Sequence, residues 1–264
     1  MVKSMKKVRI DTYLEENYNI GTLEEVRRFI MAGKVLNNNQ PVYKPSEMII
    51  PEKADIRFKN LKSFVSRGGL KLKHAIEEFG IDLRDRVMID IGSSTGGFTD
   101  CALQNGASLV YAVDVGTNQL DYKLRIHPQV IVMEQTNFKV TEADDFSPVP
   151  DIMSIDVSFT SIVPILRHIR KLFGHEYEII ALIKPQFESF LEERESDGII
   201  TSVETHKNVI TRVAAECREL DLQPVAVTKS KVKGAKGNQE YLLHIVHNMN
   251  GRKSLTEEDI HFVI

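Results

Sequence analysis

The chain is poor in the residues that build metal centres, disulfide frameworks and membrane spans. Its two cysteines, Cys101 and Cys217, fit no metal or disulfide spacing and fall in helix-like segments, so they read as helix-face or core thiols of a reduced cytosol. The eight histidines do not cluster. His244 and His247 stand three apart in a strand pattern, where facing one metal is awkward, and no metal site is expected. The strongest apolar run, "IIALI" at Ile179 to Ile183, is far shorter than the roughly 20 residues that cross a bilayer. The opening "MVKSMKKVRIDTYLEEN" has lysines with no apolar stretch behind them. No membrane partner and no lytic amphipathic segment are expected, and the protein is expected in the cytoplasm.

What is present is a globular composition, 42% hydrophobic and 27% charged over 264 residues, enough for one large domain and one small one. Charge is divided unevenly. Met1 to Lys73 holds 15 lysines and arginines against 8 acids, whereas the chain as a whole has a net charge of −3. A basic front on an acidic body suggests a polyanion partner. Within that front, "VRIDTYLEENY" carries an apolar face at Val8, Ile10 and Leu14. "TLEEVRRFIMAGKV" repeats it at Leu23, Val26, Phe29 and Ile30 before Gly33 closes the helix. Strand-like "KVLNNNQPV" and "ADIRFK" follow, around an Asn-rich turn. The order resembles the αL, or S-four-type, RNA-binding module over roughly Arg9 to Lys59, and Arg9, Asp11, Leu14, Arg27, Arg28, Ile30, Gly33 and Val35 fit its pattern. Where that module usually has Ser-Arg, this chain has Thr22-Leu23, which removes one phosphate contact.

From Val87 the pattern changes to short β-branched runs: "VMIDI", "LVYAVDV", "VIVME", "IMSIDV", "EIIALIKP" and "QPVAVTK". Helix-like stretches such as "SIVPILRHIRKLF" and "VETHKNVITRVAAECREL" separate them, which predicts an α/β fold with a doubly wound, Rossmann-like parallel sheet. "QEYLLHIVHN" follows "QPVAVTK" with a loop and no helix between, so a closing hairpin with one antiparallel strand is expected.

Ligands of such sheets bind beyond the carboxyl ends of the strands, where strand order reverses. The turn "DIGSSTGGF" lies there, with Asp90 ahead of the first glycine and Ser94 in place of the middle glycine of a dinucleotide fingerprint. An acid at that point opposes a diphosphate but suits a ligand with a positive amino group and a ribose, such as S-adenosylmethionine. Asp90, Gly92, Ser94, Thr95, Gly97 and Phe98 are expected on its methionine side, Asp114 at its ribose, and Thr136, Asn137 and Phe138 at its adenine edge.

"SFVSRGGLKL", "IDIGSSTGGFTD", "VDVG", "SIDVSFTS", "ALIKPQFE" and "GAKGNQEYLLHI", in this order behind an αL module, resemble the hemolysin-A or TlyA family, whose methyltransferase domain is FtsJ-like. The resemblance implies methylation of a ribose 2′-hydroxyl in ribosomal RNA, at cytidine, with S-adenosylmethionine as donor and ribosomal RNA or a ribosomal subunit as partner. The family's Lys-Asp-Lys-Glu set falls on Lys71, Asp156, Lys184 and Glu240. A lysine beside another cation can serve as a base or hold a developing alkoxide, and Lys184, with Lys71 lowering its pKa, is expected in that role. Arg9, Arg27, Arg28, Lys34 and Arg67 are expected to meet RNA, joined by Lys231 and Lys233 of the loop "TKSKVKGAKG", whose lysines should lie beside the active site. The chain is expected to divide into an RNA-binding domain at 1–60, a linker and first helix at 61–85, a methyltransferase domain at 86–248 and a tail at 249–264, helical from a capping box at Ser254 and Glu257. A base-methylating enzyme would use the same fold, but "DVSF" lacks the prolines of its usual motif. A non-enzymatic ribosome-assembly factor and a membrane-active hemolysin are the remaining alternatives.

Overall fold

The computed structural model describes residues 6–18, 20–59, 64–193, 198–249 and 251–264. The expected division between residues 60 and 61 lies outside the described residues. In the front layer, β1 (Val8–Arg9) leads into α1 (Ile10–Asn17) and α2 (Leu23–Met31), which is opened by a capping box of Thr22 and Glu25. Next come β2 (Val35–Asn37), β3 (Gln40–Val42), β4 (Met48–Ile49) and β5 (Ile56–Phe58). β2 lies between β3 and β5 in an antiparallel sheet. Asn38 and Asn39 both adopt positive φ in the β2–β3 turn, the geometry that Asn tolerates best after Gly. The β1–β4 pair was not expected, because strands of two residues carry no periodicity. Ile10, Leu14, Val26, Ile30, Val35, Val42 and Ile49 form a core of this layer's own.

The second unit opens with α3 (Gly68–Phe79) and continues through β6 (Val87–Ile91), α4 (Gly97–Gln104), β7 (Leu109–Val113), α5 (Tyr122–Arg125), β8 (Val130–Met133), β9 (Ile152–Ile155), α6 (Val163–Leu172), β10 (Tyr177–Ile183), α7 (Pro185–Glu188), α8 (Val203–Glu219), β11 (Gln223–Lys229), β12 (Tyr241–His247) and α9 (Glu257–Val263). All seven strands expected after Val87 are present, in the order β11-β12-β10-β9-β6-β7-β8. The strands from β8 to β10 run parallel, and β12 pairs antiparallel with both β10 and β11. Order reverses between β6 and β9, which fixes where a ligand can enter.

Alternation along each strand divides two cores. Ile179, Ala181 and Ile183 face the α6 and α8 side, while Ile180 and Leu182 face α3 and α4. Burial on both faces explains the continuous apolar runs. Cys101 and Cys217 are fully buried on α4 and α8. The terminal capping box is formed by Thr256 and Asp259, not by Ser254 and Glu257. The chain through Leu255 is held extended against β11 by the Leu255 amide donating to Pro224 O, so the helix cannot start earlier. Among the described residues no helix is long and apolar enough to cross a membrane.

Candidate active site

Lys71, Asp156, Lys184 and Glu240 meet in one cavity of about 720 Å³ beside the reversal point. Asp156 follows β9 and Lys184 follows β10, where Pro185 at the first position of α7 stops the strand and sets the helix. Lys71 comes from the first turn of α3, and Glu240 immediately precedes β12. Lys184 Nζ lies 2.7 Å from Asp156 Oδ1 and donates to Ser158 Oγ at 3.0 Å. Lys71 Nζ lies 2.6 Å from Glu240 Oε2, both side chains nearly buried. A Cβ on Gly234 would come within 2.0 Å of Glu240 Oε1, so glycine there makes room for the carboxylate. Each lysine is set against one carboxylate, Lys184 against Asp156 and Lys71 against Glu240, the two acids that were expected to orient them. Lys73, two residues from Lys71, turns away to Glu25 and Glu77.

A second cavity of about 470 Å³ is lined by Asp114, Gln119, Thr136, Asn137 and Phe138. It shares Gly92, Ser94, Asp156, Ser158 and Phe159 with the first, so the two meet along a seam at the ends of β6 and β9. Gly92 has φ +85°, and a Cβ there would approach Asp156 O to 2.5 Å, which only glycine avoids. Thr95, Gly97 and Phe98 line the first cavity, Phe98 with its ring in the core. Phe138 likewise forms part of the core beneath the second cavity.

Asp90 has no exposed surface. Its Oδ2 accepts from Thr99 N and Oγ1 at 2.9 and 2.7 Å, and its Oδ1 from Ser154 Oγ at 2.9 Å. Burial pushes this carboxyl up to about 6, against the pull of those hydrogen bonds. Asp114 instead sits half-buried at the cavity edge, accepting from Ser94 N at 2.8 Å and Gly116 N at 2.7 Å.

The residues fit S-adenosylmethionine on three counts. A carboxylate offers about four acceptor positions, and Asp114 spends one on each of these two backbone amides, leaving capacity for two ribose hydroxyls. Asp156 supplies a carboxylate on the side where a positive amino group would lie, while the fully buried Asp90 holds the turn beneath it. Two buried polar atoms lining the first cavity, Ser93 Oγ and Gln186 Oε1, have no hydrogen-bond partner among the described residues.

The RNA candidates separate into three groups. Arg9 and Arg27 converge on one carboxylate: Asp11, fully buried, accepts from Arg9 Nε and Nη2 at 3.0 and 2.8 Å and from Arg27 Nε at 2.9 Å. The Arg9 hydrogen bonds, helped by Arg27, hold the Asp11 carboxyl well below the usual range despite burial. Arg28 and Lys34 are exposed on the same layer. Arg67 lines the first cavity, 4.0 Å from Glu15 of α1. The basic loop is only partly where it was expected. Lys233 and Lys236 line the cavity, whereas Lys229 donates to Ile264 O and Lys231 is not a lining residue. Its charge, with burial as the larger cause, lowers the His74 pKa.

Sequence reasoning missed Ser158, Gln186 and the aromatic pair Phe159 and Phe187, whose rings are 5.2 Å apart at the cavity mouth. Ser158 and Phe159 belong to "SIDVSF", and their place just beyond a strand's carboxyl end was the available signal.

Residues 64–246 match the profile of the FtsJ-like methyltransferases. The Bacillus subtilis protein YqxC, named as a candidate rRNA methyltransferase, is 43% identical over 98% of this chain and 93% of its own. The 16S/23S rRNA (cytidine-2′-O)-methyltransferase TlyA of Mycobacterium tuberculosis is 32% identical over 90% of this chain and 89% of its own. Among solved structures, a candidate hemolysin from Streptococcus thermophilus superposes with a TM-score of 0.73 at 39% identity, covering 98% of this chain and 95% of that one.

Proposed function

The chain belongs to the FtsJ-like methyltransferase family, and from that premise we propose that it transfers a methyl group from S-adenosylmethionine to a ribose 2′-hydroxyl of ribosomal RNA, at cytidine. The observation that carries this reading is the meeting of Lys71, Asp156, Lys184 and Glu240 in one cavity, with Asp156 on the seam to the cavity that Asp114 borders. The relatives' names support the substrate, and a ribosomal RNA substrate is in keeping with activity in the cytoplasm.

S-adenosylmethionine supplies an electrophilic methyl group, so the protein's own task is to align the acceptor oxygen and take its proton. Asp114 binds the donor's ribose, and the Gly92 to Phe98 turn confines the other end. Lys184 meets the acceptor hydroxyl. As that oxygen attacks, its proton passes to the open position on Nζ, and the ammonium so formed is held by Asp156 Oδ1, 2.7 Å away, so no bare alkoxide forms. Lys71, fixed by Glu240, steers the sugar or its phosphate.

Docking falls to the basic surfaces. We read residues 1–60 as the RNA-binding domain, 61–85 as linker and first helix, 86–248 as the transfer domain and 249–264 as a tail. Arg9, Arg27, Arg28 and Lys34 hold phosphates at a distance from the reacting sugar, and Arg67 and Lys233 hold them at the cavity rim.

Incubation with methyl-labelled donor and ribosomal RNA tests the reading. Label should appear in RNA, and Lys184→Met should lower its transfer by roughly 10²–10⁴, the usual worth of a general acid–base group, with donor binding kept. RNA carrying a 2′-deoxy sugar at the target should bind and accept nothing. Methylation of that substrate would move the chemistry to the base.

A further inference from the structure

Nζ of Lys184 has three positions besides its bond to carbon, and as the amine that takes up a proton it fills two with N–H donors and leaves the third as a lone pair. Asp156 Oδ1 at 2.7 Å takes one and Ser158 Oγ at 3.0 Å takes a second. The Phe187 ring closes another flank, with its centroid 5.9 Å from Nζ. One acceptor alone would let Nζ swing about a single contact. Two fixed acceptors orient its tetrahedron and leave the third position with one direction. We propose that Ser158 is a positioning residue for methyl transfer, whose hydroxyl aims the remaining position on Lys184 Nζ, where the proton is taken up, at the acceptor oxygen. The inference rests on the role given to Lys184 above.

Two further observations bear on it. Ser158 lines both cavities, together with Asp156, so it sits on the seam that a methyl group must cross from donor to acceptor. The next residue, Phe159, has φ +64° and is 90% exposed. A bulky side chain in the left-handed region is strained, and such strain persists where a site needs the geometry it gives. Here the left-handed turn sends Phe159 outward while Ser158 stays against Lys184.

The test compares Ser158→Ala and Ser158→Thr with the wild type and with Lys184→Met, reading turnover, KM for RNA, donor affinity and the midpoint of unfolding. Ser158→Ala should lower kcat by roughly ten- to hundredfold, the scale of one hydrogen bond to a charged group. KM, donor affinity and unfolding midpoint should stay within about twofold or a few degrees of wild type on the same scale. Ser158→Thr keeps the hydroxyl and should recover most of the lost turnover. The proposal is overturned if Ser158→Ala turns over like wild type, if its loss falls on KM or donor affinity instead, or if threonine does not rescue. Full activity in Lys184→Met would overturn the role of Lys184 itself, a result separable from any outcome at Ser158.

Discussion

Asp11 in the front layer and Asp90 under the transfer cavity are both aspartates with no exposed surface, yet they are held in opposite ways. Asp11 accepts from two guanidinium groups and one backbone amide, and its carboxyl lies well below the ordinary range. Asp90 accepts only from neutral donors, a backbone N–H and two hydroxyls, and burial raises it to about 6. Burial alone therefore does not decide the charge of a carboxylate; the charge of its partners does. The difference matches the work proposed for each region. Around Asp11 a single negative charge fixes two positive groups whose outer edges face solvent, which suits a phosphate backbone. Around Asp90 the carboxylate ties β6 to α4 and to Ser154 of β9, which fixes the turn on which a donor must rest.

The largest effect expected from breaking this comparison is at Asp90. Its folded-state value lies above the ordinary 3.8, so the folded protein holds the proton more tightly than the unfolded chain. Stability from this group is therefore greatest below about pH 4, falls as pH rises toward about 6, and is level above that. The two-unit shift corresponds to about 3 kcal/mol. Asp90→Asn cannot ionise, so its stability relative to wild type should rise by about that amount between pH 4 and 7. Urea unfolding at a series of pH values measures it. A difference between the two proteins that stays constant with pH would show that Asp90 is not the group responsible.

Asp11 should behave in the reverse sense. Its value is depressed, so the stability it contributes is complete above the ordinary aspartate range near pH 4 and is lost as pH falls below it. Asp11→Ala should cost about 1–3 kcal/mol at neutral pH, because hydrogen bonds to charged partners are lost while the arginines, roughly half-exposed, can turn to water. The RNA result is more discriminating. Removing an acid makes the layer more positive, which by charge alone strengthens binding. If Asp11 instead holds Arg9 and Arg27 in place, Asp11→Ala should weaken it, as filter binding at fixed salt would reveal. Tighter binding by the variant would reduce Asp11 to a stabilising residue.

How much of this could be read in advance depends on the length scale of the signal. The seven strands of the large sheet announce themselves through runs of β-branched residues, and Asp156 and Lys184 follow from standing where those runs stop. Asp11 and Asp90 are visible as residues but not as opposites, because their partners Arg27, Thr99 and Ser154 lie 16, 9 and 64 positions away and only the fold brings them close. The terminal helix shows the limit from the other side. Ser254/Glu257 and Thr256/Asp259 both spell a capping box, and the choice falls to a tertiary hydrogen bond, Leu255 N to Pro224 O. Ser158 was within sight in "SIDVSF", but its contact with Lys184 joins loops 26 residues apart.

The smallest effect sharpens the comparison within the front layer itself. Arg27 and Arg28 are neighbours on α2, both exposed, but Arg27 is held by Asp11 whereas Arg28, among the described residues, enters no ion pair. Arg28→Ala removes no buried contact and should change stability by less than about 0.5 kcal/mol. Arg27→Ala strips Asp11 of one cation and should cost more, about 1–2 kcal/mol. Toward RNA the two should look alike in one respect: each lost phosphate contact lowers the slope of log affinity against log salt by about 0.7–0.9. Arg27 should differ in a second respect, because its removal also frees the inner edge of Asp11 and shifts the position of Arg9, so the slope should fall by more than one contact's worth. Equal slopes for Arg27→Ala and Arg28→Ala would mean that the two arginines act independently and that Asp11 couples nothing.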